Sequence, residues 1–583
     1  MLLTPPRLTP WLPLLGLLAC HAGPTVPAGP APAPRYDVIL SDGKVVDGTG
    51  NAWFAGDIGV TGDRIIWVGP AGSLRDAAAA RRIDARGMVV APGFIDIQGG
   101  SYDNLLVGDG RALSKVTQGI TTEIMGEAYT PAPWNDAVAA FSDFFFAFAD
   151  SATVRRAVAG LGGPHGFGSW LDAMERHGIS LNAGSFLGAT TLRAYVMGQS
   201  PEAPSAAQLD SMRAVMRRAM EDGAFGLGTA LIYPPGNYAS TSELTEIAKA
   251  MAPYHGVYIT HMRSEADRFL EAMDEALAIG RDGGVPVEIY HLKAAGQRNW
   301  SKAALAIAKI DSARAAGQDV SADMYPYLAG GTALAACLPP WASADGRLMQ
   351  NLADSTTRAR IRTEVLAERS PEWENLCQLA TPEGVRVGDF ERAGNKRYEN
   401  QTLAEIAAAR GQAWPDALMD LTVDENGRLS GTFFLMAEEN VELQLRQPWI
   451  KIGTDAGASD PADTHGSETH PRAYGTYPRI LGRYVRERRV LPLEDAVRKM
   501  TSAVAERLSI RDRGLVREGM YADLVGFDPA RVIDHATYER SHQLSTGIRD
   551  VLVNGVPVVL DGAHTGAKPG RAVRGPGWRA VAR

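Results

Sequence analysis

Short apolar runs alternate with amphipathic segments through the middle of this chain. Runs that predict strands occur at residues 93–97, 120–126, 180–187, 223–232, 257–261, 285–291, 319–325 and 449–455. Helical patterns lie between them at Ala206–Asp222 and Ala266–Gly280, and in the first of these Met212 and Met216 share one face. Strands that alternate with helices are typical of an α/β fold with a parallel sheet, and eight such strands predict a TIM-type (β/α)8 barrel.

The two ends of the chain carry a different pattern, in which short strands are separated by Asp-Gly and Gly-Asp turn signals. Residues 36–92 and residues 501–583 both show it, so we expect them to form one small β-sandwich. Residues 93–500 then form the barrel between the two halves. Residues 334–448 interrupt the alternation between strands 7 and 8, and Trp414-Pro-Asp416 predicts a helix start there. An insertion at a barrel mouth is well placed to act as a lid.

The first 22 residues have the layout of an export signal and are excluded from the fold. Arg7 precedes the apolar run Trp11–Cys20, which is too short to span a bilayer. Leu17-Leu-Ala-Cys20 resembles a bacterial lipobox, so we expect a lipidated Cys20 that tethers the protein to a membrane; a plain cleaved signal is the alternative. Residues 23–35, rich in proline and alanine, predict a flexible linker. The expected location is the periplasm or cell envelope of a bacterium.

The composition changes this picture little. With 45% hydrophobic and 22% charged residues and a net charge of −8, the chain is typical of a soluble globular protein and lacks the basic character of nucleic-acid binders. Beyond the leader only Cys337 and Cys377 remain. An exported protein can join such cysteines in a disulfide, but their separation in sequence does not give their separation in space.

Three predicted strands run into residues that can bind a metal ion. His261 follows Val257–Thr260, His291 follows Pro286–Tyr290, and Asp455 follows Trp449–Thr454. Imidazole is a good ligand for zinc, and the carboxyl ends of barrel strands converge on one site. Asp455 suits the role of a catalytic acid and base, or of a metal ligand. The alternatives are structural histidines and a helix N-cap aspartate.

Further polar residues suggest the rest of a site. Glu127 ends strand 2 and would complete a set of three protein ligands that leaves one position for water, although a surface glutamate is an alternative. Candidates for binding a substrate carboxylate are Lys293, Tyr233, Tyr325 and Arg472. The planar fork of arginine suits a carboxylate especially well.

Together these segments resemble the amidohydrolase superfamily and, within it, the N-acyl-D-amino-acid deacylases (D-aminoacylases). The resemblance runs from Tyr36 to Arg574. It is carried by the order of the segments Val89-Val-Ala-Pro-Gly-Phe-Ile-Asp96, Gln118-Gly-Ile-Thr-Thr122, Gly223–Gly236, Tyr325–Gly330, Gly475-Thr-Tyr-Pro-Arg479, Lys499-Met-Thr501 and Arg517–Val525. It implies a distorted barrel with a small β-sandwich and zinc-assisted hydrolysis of an N-acyl bond. It also implies that His261 and His291 hold the metal, that Asp455 is the acid and base, and that the four candidates above handle the substrate.

The chain departs from the family pattern at the first strand, where a His-x-His is replaced by Gln98-Gly-Gly100. The cysteine ligand that ends strand 2 in typical members is also missing, with Ala128 near its place, and Ala189 stands where many relatives carry histidine. The loop after strand 8 is long and holds Asp460, Asp463, His465 and His470, which are either replacement ligands or parts of a solvated loop.

The main hypothesis is a hydrolase with a single divalent ion, zinc, on His261, His291 and Glu127, which converts an N-acyl-D-amino acid and water into a D-amino acid and a carboxylate. A dipeptidase or cyclic-amide hydrolase of the same superfamily is the second hypothesis. The third is an envelope-anchored pseudoenzyme that binds without catalysis. The sequence leaves acyl-chain and side-chain preference and oligomeric state open.

Overall fold

The computed structural model describes residues 36–141, 145, 150–370, 373–462 and 470–579. The predicted signal, lipobox and linker therefore lie outside the described residues, as do Asp463 and His465. No helix in the described ranges is long and apolar enough to cross a membrane.

The strands fall into groups that follow the predicted organisation. The first five, β1 to β5, are Tyr36–Val45, Phe54–Thr61, Arg64–Pro70, Ala79–Asp84 and Val89–Pro92. Strands β6 to β13 are Phe94–Asp96, Ile120–Met125, Asn182–Ser185, Leu187–Gly188, Gly226–Ala230, Val257–His261, Val287–Ile289 and Val320–Met324. Strands β14 to β17 are Ala329–Ala333, Val385–Gly388, Ser430–Phe434 and Ile450–Ile452. The last four, β18 to β21, are Leu524–Phe527, Ile548–Val553, Val556–Leu560 and Ala563–His564.

The α-helices lie mainly between the central strands and within the insertion. Before β14 they are Tyr102–Leu106, Leu113–Val116, Asp136–Ala139, Ser151–Val158, Gly166–His177, Ala189–Met197, Ala206–Asp222, Thr241–Met251, Phe269–Gly283 and Lys302–Ala315. After it they are Leu348–Ala353, Ser355–Leu366, Leu376–Ala380, Leu403–Arg410, Trp414–Asp424, Glu438–Leu445, Arg472–Arg479, Leu493–Met500 and Ser502–Arg507. The helix predicted at Ala206–Asp222 and the start at Trp414 are confirmed.

The central strands form two parallel sheets. Strands β6, β7 and β8 make one, and the other has the order β17-β13-β12-β11-β10-β9. On one side the two sheets are connected through the chain, since only Phe186 separates β8 from β9. On the other side, a single parallel bridge links Gly99, which follows β6, to Ala456, which follows β17. Each of the eight predicted strand positions holds an observed strand, and the α/β class is confirmed. In the described part of the chain, hydrogen bonding does not close these sheets into one continuous barrel.

The terminal segments of the chain meet in one sheet. It has nine strands in the order β21-β20-β19-β18-β5-β1-β2-β3, with β4 also paired to β1. The pairing of β18 with β5 joins the C-terminal strands to the N-terminal ones. The expected association of the two ends is thus present, whereas the division into two facing sheets of a sandwich stays a prediction.

The insertion contributes two strands to a small antiparallel sheet and has an apolar core. Its strands β15 and β16 are joined by β14, which ends directly before the insertion, in the order β14-β16-β15. Its core includes Cys337 and Cys377, which form a disulfide with a Cα–Cα distance of 5.4 Å. The bond settles the pairing that the sequence left open. Apolar burial and a covalent link both hold this part of the chain together.

Candidate metal centre and substrate pocket

The centre forms where three parallel strands end. His261 is the last residue of β11, His291 lies two residues beyond β12, and Glu127 lies two residues beyond β7. Since parallel strands present their carboxyl ends at the same edge, residues far apart in sequence meet there. The two imidazole rings are buried, with centroids 4.5 Å apart and planes at 88°.

Glu127 lies between the two imidazoles. Its Oε1 atom is 3.1 Å from Nδ1 of His261 and 3.3 Å from Nε2 of His291. Burial would raise the pKa of Glu127, but the charges and hydrogen bonds of His291 and His261 outweigh burial and hold that pKa well below its usual value. An ionised carboxylate beside two imidazoles is a donor set that suits zinc.

The structure offers a direct test of whether these residues suit a metal ion. One ligand atom from each of the three residues can be chosen so that all lie within 4.8 Å of one another. Nε2 of His261 is buried and has no hydrogen-bond partner among the described residues, although Oε2 of Glu265 lies 3.7 Å away; Nδ1 of this ring faces Glu127. Neither nitrogen of His261 therefore forms a hydrogen bond to the backbone. A buried polar atom without a hydrogen-bond partner, such as Nε2, is rare in proteins. The donor set fits a divalent ion.

Glu265 is the residue of this site that the sequence reasoning missed. Its Oε1 is 2.9 Å from Nδ1 of His291, and its two oxygens accept hydrogen bonds of 2.8 and 2.9 Å from Nζ of Lys293. A carboxylate on the far nitrogen of a ligand histidine orients the ring and increases its basicity. The available signal was an acidic residue four positions after His261, in the same strand-end loop.

Lys293 is held by contacts within the protein, and its role in binding a substrate stays a prediction. Besides its pair with Glu265, its Nζ lies 2.6 Å from Nδ1 of His291. Burial and the Lys293 ammonium lower the pKa of His291, but the carboxylates of Glu265, Asp455 and Glu127 outweigh them and raise it to about 10. Lys293, which the sequence predicts to bind a substrate carboxylate, thus contributes to the electrostatics of the metal site in this structure.

Two strands end earlier than the sequence pattern predicts. The predicted segments 285–291 and 449–455 contain strands that stop at Ile289 and Ile452. Beyond these ends, His291 and Asp455 both have a positive φ, of 32° and 52°. Non-glycine residues rarely adopt this conformation, and it is concentrated at functional sites. The backbone N–H of His291 donates to Oδ1 of Asp323 at 2.8 Å, which stabilises the turn.

Asp455 and Arg472 form the second half of the site. Nη1 of Arg472 donates to Oδ2 of Asp455 at 2.6 Å, and Nη2 donates to the carbonyl of Gly331 at 2.9 Å. Burial raises the pKa of Asp455 despite the nearby Arg472. A carboxyl group with a raised pKa is better suited to exchange a proton near neutral pH than an exposed one.

Tyr233 and Tyr325 line the same space. The ring of Tyr233 lies 5.5 Å from that of His261, and the ring of Tyr325 lies 6.3 Å from that of His291. The guanidinium of Arg472 lies 4.9 Å from the Tyr325 ring centroid. Burial raises the pKa of both phenols, so both are neutral donors at neutral pH. All eight predicted site residues thus lie in one region.

Gln98 occupies the position at the first strand where the family pattern has histidine. Its Nε2 donates to Oε2 of Glu127 at 2.5 Å, while its buried Oε1 has no hydrogen-bond partner within the described residues. There is room for a side chain at Gly100, since a Cβ added there would meet no atom nearer than 3.7 Å. The amide thus binds the one carboxylate oxygen that does not face the histidines.

In the described part of the loop after β17, the candidate replacement ligands Asp460 and His470 bond to other groups of the protein. His470 donates from Nε2 to the carbonyl of Ala329 at 2.9 Å, and its Nδ1 accepts the N–H of Arg472 at 3.1 Å. Asp460 accepts a hydrogen bond from Arg111 at 2.5 Å. Both ring nitrogens of His470 are thus used inside the protein, so it is not a replacement ligand here.

Comparison with known proteins places this geometry in a family. A family model described as "Amidohydrolase family" matches residues 171–559. The chain belongs to the amidohydrolase family. Two curated relatives, both from Alcaligenes xylosoxydans xylosoxydans, match this amidohydrolase over nearly its whole length. A D-aminoacylase is 33% identical, covering 92% of this chain and 97% of the relative, and an N-acyl-D-glutamate deacylase is 34% identical, covering 93% and 97%.

Solved structures agree with this placement. The N-acyl-D-glutamate deacylase of Bordetella bronchiseptica, complexed with zinc and a phosphonate mimic of the tetrahedral intermediate, superposes with a TM-score of 0.73 at 29% identity. That match covers 92% of this amidohydrolase and 99% of the other chain. An L-hydantoinase from Arthrobacter aurescens has a TM-score of 0.53 at 15% identity, over 93% and 99% of the two chains, and shows the shared fold alone. This amidohydrolase is a hydrolase of C–N bonds that depends on a divalent metal.

Proposed function

We propose that this amidohydrolase cleaves N-acyl-D-amino acids to a D-amino acid and a carboxylate, with one zinc ion per chain. The observation that carries the proposal is the cluster of Glu127, His261 and His291, whose charges act on the carboxyl group of Asp455, the partner of Arg472. The curated relatives at about one-third identity, whose names specify D-aminoacylase and N-acyl-D-glutamate and N-acyl-D-aspartate deacylase, support the substrate class.

In this mechanism His261, His291 and Glu127 hold the metal, with Glu265 orienting the ring of His291 from its far nitrogen. A bound divalent ion polarises the amide carbonyl and lowers the pKa of a water molecule. Asp455 accepts the proton of the attacking water and delivers it to the leaving amine, as a carboxyl with a raised pKa can do. The phenols of Tyr233 and Tyr325 donate hydrogen bonds to the substrate.

Arg472 anchors the α-carboxylate of the substrate. It already holds a carboxylate, that of Asp455, at 2.6 Å, and its guanidinium has the planar geometry that binds such groups. A substrate carboxylate that takes over this contact frees Asp455 for proton transfer at the moment of binding. Lys293 supports the anchor through its charge while it remains bonded to Glu265.

The larger organisation and the location belong to the same proposal. The two parallel sheets constitute a distorted (β/α)8 barrel, the terminal segments a small β-sandwich around it, and residues 334–448 a lid. The protein is exported and tethered to the cell envelope through a lipidated Cys20. The Cys337–Cys377 disulfide supports export, because such bonds persist in oxidising compartments.

Substitution of Asp455 by Asn tests the proposal most directly. We expect kcat to fall by about 10²–10⁴-fold, the usual contribution of a general acid–base group, while zinc content stays at that of the wild-type protein. Elemental analysis and hydrolysis of N-acetyl-D-amino acids are the measurements. A zinc-loaded Asp455→Asn variant with undiminished turnover would contradict the assigned role.

A substrate panel separates the remaining activities. N-acetyl-D-amino acids, their L enantiomers, dipeptides and cyclic amides are compared on the wild-type enzyme at equal concentration. Preference for the D enantiomers is the expected result. Preference for dipeptides or cyclic amides would replace the substrate class, and absence of both metal and turnover after zinc reconstitution would favour a binding protein without catalysis.

A further inference from the structure

Glu374 connects the insertion to the loop that carries the metal-site carboxylate Glu265. It lies two residues before the helix Leu376–Ala380 of the insertion. Its Oε1 accepts a hydrogen bond from the hydroxyl of Ser264 and another, of 2.8 Å, from the backbone N–H of Ala266. The two donors are the residues on either side of Glu265. One oxygen atom from the insertion thus fixes both neighbours of the carboxylate that binds His291 and Lys293.

Glu265 depends on this loop for its position. Its side chain contacts Nδ1 of His291 at 2.9 Å and Nζ of Lys293 at 2.8 Å, and its backbone carbonyl accepts the N–H of Ala295 at 2.7 Å. Without Glu374, the N–H of Ala266 retains only a 3.3 Å contact with the Ser264 hydroxyl. The loop would then be free to shift. Because Glu265 orients the ring of His291, a displacement of the loop well below 1 Å would affect metal binding.

The insertion holds Glu374 firmly. The adjacent Asn375 is buried, donates from Nδ2 to the carbonyl of Val365 at 2.8 Å and accepts the N–H of Gln378 at 3.1 Å. Three residues after Glu374, the buried Cys377 is bonded to Cys337 inside the apolar core of the insertion. Glu374 therefore projects from a cross-linked unit and is not a mobile surface side chain.

We propose that Glu374 is a positioning residue through which the insertion sets the affinity and reactivity of the metal centre. The connection runs from Glu374 to Ser264 and Ala266, then through Glu265 to His291. This inference rests on the proposed metal centre, and it assigns the insertion a part in the chemistry beyond covering the site. Burial raises the pKa of Glu374 to about 7, so a glutamine, which keeps the accepting oxygen, reproduces the protonated form.

The test compares Glu374→Ala with Glu374→Gln in the full-length protein. Zinc affinity is measured by competition with a chromophoric chelator, kcat at saturating zinc, and folding by thermal unfolding. Removal of the acceptor in Glu374→Ala is expected to weaken zinc binding about tenfold, at the lower end of the range for residues that orient a metal ligand. The zinc affinity of Glu374→Gln is expected to stay within about threefold of that of the wild-type protein.

The controls separate positioning from general damage to the insertion. Glu364→Gln changes an acid of the same insertion that bonds Trp341 and Arg360 within the insertion, and we expect it to leave zinc affinity unchanged. Ser264→Ala removes the hydroxyl that donates to Glu374, and it leaves the sequence of the insertion unchanged. It should weaken zinc binding in the same direction as Glu374→Ala, and it keeps the test decisive if that variant does not fold.

The outcomes distinguish this inference from the proposed function. If folded Glu374→Ala binds zinc with wild-type affinity, the positioning role is overturned and the metal centre stays intact. If Glu374→Ala does not fold, wild-type zinc affinity in Ser264→Ala has the same meaning. A wild-type protein that binds no zinc would remove the proposed function and this role with it. Equal losses in Glu374→Ala and Glu364→Gln would show a non-specific effect and would also overturn it.

Discussion

At the scale of single residues, the centre is built from carboxylates whose neighbours decide their protonation. Glu127 and Glu265 lie beside imidazoles or Lys293, and both have a lowered pKa. Asp455 and Glu374 have a raised pKa, because burial outweighs their favourable contacts. The first pair can therefore bind cations, while burial favours the protonated form of the second pair.

Arg472 gives the first residue-scale prediction. Replacement by lysine keeps a positive charge but loses the fork that bonds Asp455 and the Gly331 carbonyl together. We expect kcat/KM for an N-acetyl-D-amino acid to fall by about 10- to 100-fold, as for the loss of a charged hydrogen bond. The same substrate with its carboxylate converted to an amide should be affected much less. Equal losses for both substrates would exclude Arg472 as the carboxylate anchor.

Glu374 gives a prediction about pH. Its folded-state pKa of about 7 lies above the ordinary value of 4.5, so the folded protein prefers the protonated form. The stabilisation from this group is complete below about pH 4.5 and is lost as the pH rises through about 7. We expect the unfolding temperature of the wild-type protein to decrease between pH 5 and 8 relative to Glu374→Gln. Parallel pH profiles of the two proteins would contradict the raised pKa.

At the scale of elements, helical periodicity located segments well and strand patterns located strand ends less well. The helix Ala206–Asp222 was predicted with its observed bounds, and the predicted helix at Ala266–Gly280 is observed at Phe269–Gly283. In the terminal sheet, β1 continues through the turn signal Asp42-Gly43, with an irregularity between Leu40 and Gly43. Asp42, with φ of 59°, is absorbed there as a bulge, so an Asp-Gly pair did not end the strand.

The helix Ala206–Asp222 allows a test of the packing that its pattern predicts. Met216 is fully buried on the inner face, and Arg218 is exposed on the outer one. We expect Met216→Ala to lower the free energy of unfolding by about 2–4 kcal/mol, because it leaves a cavity in the core. Arg218→Ala should change it by less than about 0.5 kcal/mol. Chemical denaturation of both variants is the measurement, and similar values for the two would contradict the assigned face.

At the scale of the whole molecule, a cross-linked insertion rests on the strand-end loops of the parallel sheets. The Cys337–Cys377 bond closes a sequence separation of 40 residues within the insertion. We expect the Cys337→Ala/Cys377→Ala variant to lose about 2–4 kcal/mol of stability in this region, because the unfolded insertion becomes less restricted. Protease sensitivity of the insertion is the measurement. Under reducing conditions wild type and variant should become alike; a difference that persists would have another cause.

The local pattern of the sequence determined the strands, the helices and the strand-end location of His261, because burial periodicity and backbone preference act over a few residues. Family resemblance favoured, among the alternatives that the residues left open, an acid–base role for Asp455 and a carboxylate-binding role for Arg472. Only the tertiary structure decided that Glu265 binds His291 and Lys293, that Gln98 bonds Glu127, and that Asp455 already contacts Arg472. These contacts join residues brought together by the packing of the sheets and by loops with left-handed turns. Their distances depend on the whole fold, and no pattern along the chain encodes them separately.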